Sequence, residues 1–218
     1  MKKEIIICLA SKGRLRLQSL NILKKKRMKI FSEKGERDLV GYVKSKNFNL
    51  KILFVHARDA IDALANSTAD VAISGKDLLF NSNTNIQRKI KLYKNLDFGH
   101  ASLKIFRSIY WIDCQSLLDV SEIARNKPIK LITKYRLLVE NFLAEKNVRN
   151  VEVIDSNGAT EIAVRINQAS LVADISSSGA TAAANDLVEL SDGLILKTSA
   201  ALMVSKKSYK RKEVIKLL

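Results

Sequence analysis

The chain has 218 residues, 47% of them hydrophobic, enough for one large core or two smaller ones. No apolar run approaches the ~20 residues of a membrane helix, and two cysteines, Cys8 and Cys114, supply neither a disulfide framework nor a zinc site. The net charge of +16 points to polyanionic partners, or to drift towards lysine and asparagine. Aromatics are few and are not interleaved with the basic clusters at 24–27 and 206–212, which argues against a nucleic-acid-binding protein.

Lys2 and Lys3 precede an apolar run at 5–10, an arrangement that mimics a signal peptide. The run stops short of the ~7–15 residues of an h-region, so it predicts a buried first strand in a protein that stays in the cytoplasm. Residues 15–28 read as a helix with Leu17, Leu20 and Leu23 on one stripe. A strand at 50–55, a helix at 58–66 and a strand at 71–74 follow, the last ending in the turn Gly75-Lys76-Asp77. Residues 91–96 and 102–106 read as extended.

A second set comprises helices at 116–126, 135–146, 159–166 and 179–185, with strands at 129–133, 151–154 and 171–175. The 135–146 helix turns Leu138, Phe142 and Leu143 inward. Three apolar runs, at 187–190, 194–196 and 200–204, and a basic helix at 209–218 close the chain. Such alternation predicts an α/β protein. The last apolar run and the last helix lack partners in the second set. The pattern therefore places a discontinuous first domain at 1–95 plus 183–218 and a second at 96–182, with a ligand cleft between them.

The segment from Asp174 to Thr181 carries the most chemistry. A strand ends in Asp174-Ile175, and Ser176-Ser177-Ser178-Gly179-Ala180-Thr181 leads into a run of alanines. Hydroxyls, a glycine and the first N–H groups of a helix converge there, which suits a phosphate. Gly179 allows close backbone approach, and the Asp174 carboxylate suits two adjacent ribose hydroxyls. An ordinary helix capped by Ser178 or Thr181 fits the same residues. Lys12-Gly13-Arg14, between the first strand and first helix, suits a polyphosphate. Asp70 and Gly75-Lys76-Asp77 flank another strand.

Taken in order, these segments resemble the ATP phosphoribosyltransferase family. Glu161, Ala169, Val172, Asp174, Ser178, Gly179 and Thr181 fall at the family's spacings, with Asn167 replacing a glycine and Ala182 an apolar Leu or Met. Asn157-Gly158-Ala159-Thr160-Glu161 is similar to the family's Asn-Gly-Ser-Val-Glu, and Thr133-Lys134-Tyr135 to its Thr-Lys-Tyr turn. Leu96, Phe98 and Gly99 resemble its Leu-x-Phe-Gly, and Lys12-Gly13-Arg14-Leu15 its N-terminal motif, with Ser11 replacing a proline. The resemblance spans almost the whole chain. It implies two α/β domains like those of type II periplasmic binding proteins, and the short form lacking a C-terminal regulatory domain. It also implies a homodimer within a hetero-oligomer that includes a regulatory subunit resembling histidyl-tRNA synthetase.

The implied reaction joins N1 of ATP's adenine to C1 of phosphoribosyl pyrophosphate and releases pyrophosphate, with Mg2+ present. Adenine N1 needs no strong base, so positioning and electrostatics carry the work. Asp174 is then assigned to the ribose hydroxyls. Ser177, Ser178, Gly179, Ala180 and Thr181 take the 5′-phosphate, while Glu161 either caps its helix or faces the ribose. Lys12, Gly13 and Arg14, with Asp70, Gly75 and Asp77 shaping the wall, are assigned to ATP or pyrophosphate. Arg37, His56 and Arg58 are the catalytic candidates. His56 stands where the family carries a pyrophosphate-binding arginine, and a neutral imidazole is the poorer anion partner. If 54–58 is extended, Arg58 shares its face and substitutes. Ser67 and Ala72 replace family glycines, and Ile61 a proline. These departures leave open a weakened or inactive member acting as a nucleotide-binding partner subunit. Two histidines are too few for a histidine-rich metal site, and the residues that hold Mg2+ are not identified.

Overall fold

The computed structural model describes residues 4–32, 38–44, 48–156, 158 and 160–218. Two compact units divide the chain: Met1–Gly99 with Ser199–Leu218, and His100–Thr198.

The first unit runs β1 (Glu4–Ala10), α1 (Gly13–Lys25), β2 (Val40–Lys44), β3 (Asn49–Val55), α2 (Ala57–Ala65), β4 (Val71–Gly75), α3 (Lys76–Phe80), α4 (Thr84–Lys89) and β5 (Ile90–Asn95). The second contributes β6 (Ala101–Ser108), α5 (Leu117–Asn126), β7 (Ile129–Thr133), α6 (Arg136–Glu145), β8 (Val151–Asp155), α7 (Ile162–Arg165), β9 (Leu171–Ser176), α8 (Ala180–Ala184) and β10 (Leu187–Thr198). The chain then returns to the first unit as β11 (Ala200–Ser205) and α9 (Lys212–Leu217).

The first sheet has the order β2-β3-β1-β4-β11-β5. β1 lies parallel between β3 and β4, and is apolar along nearly its whole length because both its faces are covered. Ile5, Ile7 and Leu9 pack with Leu23 of α1 and with Val214 and Leu217 of α9. Cys8 faces the other way, towards Ile61 and Leu64 of α2. Only part of the expected α1 stripe faces inward: Leu23 is buried but Leu17 is 63% exposed. Steps of three residues fall short of a 3.6-residue turn, so Leu17 lies about 120° around the helix from Leu23. The buried positions are Ser19 and Leu23, four apart. Lys26, in the first basic cluster, donates from Nζ to the Leu217 carbonyl (2.5 Å). Burial, and then the charge of Lys94, hold its ammonium below the usual lysine range.

The second sheet has the order β10-β6-β9-β7-β8, with β7 parallel to β8 and β9, and β6 antiparallel to β9 and β10. Leu131, Leu171 and Ala173 face α5 and α6, where Val139 rather than the half-buried Leu138 joins Phe142 and Leu143 in the core. Ile132 and Val172 face Ala163 of α7 and Ala182 of α8. The return to the first unit falls at Ser199, not near 183. The two apolar runs at 187–190 and 194–196 form one strand, β10, whose register on β6 shifts between Glu189 and Leu194. Ser191-Asp192-Gly193 breaks the alternation there, so the sequence reads as two short runs where the fold has one bulged strand.

Two departures from the family pattern gain a backbone reason. Ser67 (φ 60°) and Asn167 (φ 55°) each adopt the left-handed conformation just past a helix end, where glycine is usual. Asn tolerates that region better than most side chains. Ala72 sits buried in β4.

Candidate active site

The carboxyl ends of the parallel strands β7, β8 and β9 lie side by side, with Thr133 opposite both Asp155 and Ala173. Ligands of open α/β sheets gather beyond such ends. Asp155 is engaged by Arg136 (3.1 Å), which also pairs with Glu140 (2.7 Å). Asp174, near the end of β9, is half-buried and lines a concavity of about 100 Å3 with Glu161 and the loop from Ser176 to Thr181. Its Oδ1 accepts a hydrogen bond from the Ile175 N–H (2.7 Å), and its Oδ2 accepts one from the Thr160 hydroxyl.

The loop turns tightly. Ser176 Oγ accepts from the Gly179 N–H (2.9 Å), and Gly179 is left-handed at φ 78°. Gly179, not Ser178 or Thr181, is the N-cap of α8 and provides no side-chain cap. α8 has only five residues, so its dipole is small. The hydroxyls and N–H groups of the loop are the main anion-binding chemistry. Ser177, Ser178, Ala180 and Thr181 are exposed around the turn. Glu161 precedes α7 in a helical conformation and makes no side-chain cap, and it lines the same concavity as Asp174.

The first unit gathers its candidates at the matching ends of β1, β3 and β4. Ala10 lies opposite Val55, and the Ser11 N–H donates to the Val55 carbonyl (2.8 Å). Lys12, Gly13 and Arg14 are exposed beyond β1, with Gly13 left-handed at φ 77°. Gly75 ends β4. A Cβ there would stand 2.4 Å from Asp77 Oδ1, so the buried Asp77 carboxylate occupies the space of a side chain at 75.

Three expectations change. The chain is not extended through 54–58: β3 ends at Val55, His56 keeps an extended backbone as the N-cap of α2, its Nδ1 accepting from the Arg58 N–H (3.4 Å), and the helix begins at Ala57. Arg58 lies in the first helical turn and is exposed, so it neighbours His56 through a cap rather than along a strand. Asp70 precedes β4, at the opposite end from Gly75. Its carboxylate accepts from the Ile6 N–H (2.9 Å), the Arg211 guanidinium (2.7 Å) and the Ser208 hydroxyl, so it binds the returning chain to the sheet. Arg37 lies outside the described residues, as do Asn157 and Ala159. Asp70→Ala is expected to cost about 3 kcal/mol by stranding a partly buried guanidinium, lowering the melting midpoint by about 6–12 °C. Ribose 5-phosphate binding in calorimetry should stay unchanged.

Thr133 and Thr160 were absent from the predicted site. Both are fully buried. Thr133 Oγ1 donates to the Ala173 carbonyl (2.7 Å) and accepts from the Tyr135 N–H (3.0 Å), fixing the Thr-Lys-Tyr turn against β9. A larger concavity, about 850 Å3, opens at the other end of β7 and β9 beside Trp111, Lys127 and Lys130. Its Arg165 already pairs with Asp186 (2.5 Å).

Among the described residues, no group of three or more His, Cys, Asp or Glu side chains is placed to hold a metal. No described helix is long and apolar enough to cross a membrane. Burial, aided by Asp59 at Cys8 and Asp119 at Cys114, pushes both thiols up to about 11. At pH 8 only about one thiol in a thousand is then ionised. Ellman's reagent is expected to label neither cysteine in the native protein within minutes and both after urea unfolding.

Two α/β units, the first completed by the returning chain, define the fold of type II periplasmic binding proteins. A Bacillus subtilis protein described as a "probable amino-acid ABC transporter extracellular-binding protein" shares it at a TM-score of 0.58 and 13% identity, over 99% of this chain and 91% of that one. The ATP phosphoribosyl transferase (HisG:HisZ) complex from Thermotoga maritima aligns at a TM-score of 0.73 and 19% identity, over 98% of this chain and 94% of that one. An ATP phosphoribosyltransferase of Rhodopseudomonas palustris (strain BisB18) is 31% identical over 212 residues, which is 94% of this chain and 65% of the relative. One of Brucella suis is 28% identical over 217 residues, 96% of this chain and 94% of the relative. This chain thus spans about 65% of the length of the first relative and nearly all of the second. The sequence model of the family, ATP phosphoribosyltransferase, matches residues 56–218. The chain belongs to the ATP phosphoribosyltransferase family.

Proposed function

We propose that the protein transfers a 5-phosphoribosyl group from phosphoribosyl pyrophosphate to N1 of ATP's adenine, the first step of histidine biosynthesis. The adenine N1 lone pair forms the bond to C1, and the C1–O bond breaks with its electrons leaving on pyrophosphate. The observation that carries this reading is the Asp174 carboxylate beside the left-handed turn at Gly179. In this reading Asp174 accepts from the two ribose hydroxyls, and the N–H groups and hydroxyls of Ser177 to Thr181 hold the 5′-phosphate, the Gly179 and Ala180 N–H groups turning to it from the Ser176 and Ser178 hydroxyls. Glu161 faces the ribose.

Lys12, Arg14 and Arg58 are assigned to the phosphates of ATP and the departing pyrophosphate, with Arg37 retained as a candidate. Gly13, Gly75 and Asp77 shape the backbone around them. Mg2+ is proposed to arrive on the pyrophosphate, since that ion commonly binds through substrate phosphates with few protein ligands. A cytoplasmic location, and a regulatory subunit as in the Thermotoga maritima complex, belong to the same reading. Product formation from ATP, phosphoribosyl pyrophosphate and Mg2+, with and without a partner resembling histidyl-tRNA synthetase, tests it. No turnover in either case, with nucleotide binding intact, would instead favour a binding subunit. His56 supports that alternative, because it stands where the family carries an arginine, and an imidazole lacks the five-donor fork of a guanidinium. Arg58→Ala is expected to lower kcat about tenfold with KM changing less than threefold; unchanged steady-state kinetics would remove Arg58 from the mechanism.

A further inference from the structure

Thr160 is fully buried between β8 and α7, fourteen residues before Asp174 in the chain. A buried hydroxyl needs an acceptor. This one takes the Asp174 carboxylate, while the Thr160 carbonyl accepts from the Ala163 N–H (3.2 Å) at the start of α7. The threonine is therefore held by its backbone on one side and holds Asp174 on the other. A carboxylate offers about four acceptor positions, two on each oxygen. The Ile175 N–H occupies one on Oδ1, and Thr160 occupies one on Oδ2. Among the described residues, one position remains on each oxygen. Two adjacent sugar hydroxyls, each donating one hydrogen bond, match that remainder.

We propose that Thr160 is a positioning residue that fixes the Asp174 carboxylate so that each oxygen keeps one acceptor for a vicinal diol, making the site selective for ribose over deoxyribose. The inference rests on the phosphoribosyl reading of the loop. Thr160 itself need not touch the sugar. Without its hydroxyl, Oδ2 is no longer held, the carboxylate can swing about its side chain, and the match to both hydroxyls is lost more than the hold on the phosphate. The effect therefore belongs to sugar discrimination and not to phosphate affinity.

The test is calorimetric binding of ribose 5-phosphate and 2-deoxyribose 5-phosphate to the full chain. The wild type is expected to prefer ribose 5-phosphate by about tenfold, the worth of one charge-assisted hydrogen bond. Thr160→Val, which keeps the side-chain shape, should cut the preference to about twofold, mainly by weakening ribose 5-phosphate binding. Thr160→Ala should do the same and serves if the valine variant misfolds, and Thr160→Ser should retain the wild-type ratio. A wild-type preference surviving in Thr160→Val and Thr160→Ala, or an equal fall for both sugars, overturns the proposal. Asp174→Asn separates the two levels. If it abolishes the preference while the threonine variants keep it, Thr160 alone is refuted. If it leaves the preference intact, or if the wild type binds neither sugar, the phosphoribosyl reading fails and takes this inference with it.

Discussion

Asp174→Asn is expected to weaken ribose 5-phosphate and phosphoribosyl pyrophosphate about 100-fold while leaving the protein folded. The substitution keeps the volume and removes the charge. Each hydrogen bond from a sugar hydroxyl to a carboxylate is worth roughly 1.5 kcal/mol more than none. Two of them amount to about 3 kcal/mol, or two factors of ten in Kd. Asn also presents one oxygen where Asp174 uses two, so either Thr160 or Ile175 loses its acceptor, at about 1 kcal/mol of stability. Calorimetry and thermal unfolding separate the two losses. A Kd within threefold of wild type would refute the assignment of Asp174 to the ribose.

Gly179→Ala isolates the phosphate half of the same loop. At φ 78° a side chain costs about 1–2 kcal/mol of backbone strain. Among the described residues, and its chain neighbours apart, no atom lies within 4 Å of the added Cβ, so backbone strain is the cost within the protein. Any loss of affinity beyond it must arise from the ligand meeting the methyl group. Ribose 5-phosphate is expected to bind at least tenfold more weakly. Gly13→Ala provides a matched comparison, since Gly13 has φ 77° and equally open surroundings. It should lose similar stability and keep its ribose 5-phosphate affinity. Equal affinities for both variants would mean that the Gly179 turn does not approach a phosphate.

The legible parts of the fold were those fixed by local chemistry. β1 is an apolar run because it lies between two parallel neighbours with both faces covered, and β7 and β9, interior strands of the second sheet, are apolar up to their last residues but for Lys130 and Asp174; each ends where polar loop residues begin. The turn at Gly179 was readable because its residue types need no distant partner. Thr160 was not, since its role depends on a carboxylate brought beside it by the packing of two loops. Asp70 was misplaced by grouping it with Gly75. Five residues of strand separate them by roughly 16 Å, which puts them at opposite ends of a sheet. The face shared by His56 and Arg58 was conditional on an extended 54–58, whereas the helix read from residue 58 begins at Ala57 and His56 caps it, a boundary that rests on one imidazole hydrogen bond. β2, α3 and α4 are short, and their apolar residues did not repeat often enough to show a period.

The insertion of β11 between β4 and β5 has a consequence for synthesis. As the chain leaves the ribosome, the second unit has all of its strands once Thr198 has emerged. The first unit does not, although its segment through Gly99 came out earlier. Until residues 200–205 follow, β4 and β5 have no partner on their facing edges, and Ala72, Ile73 and Leu92 are without the strand that covers them. Open edges of this kind invite pairing with other chains. The order of completion is thus the reverse of the order of translation: residues 200–205 protect strand edges that left the ribosome well before the second unit did.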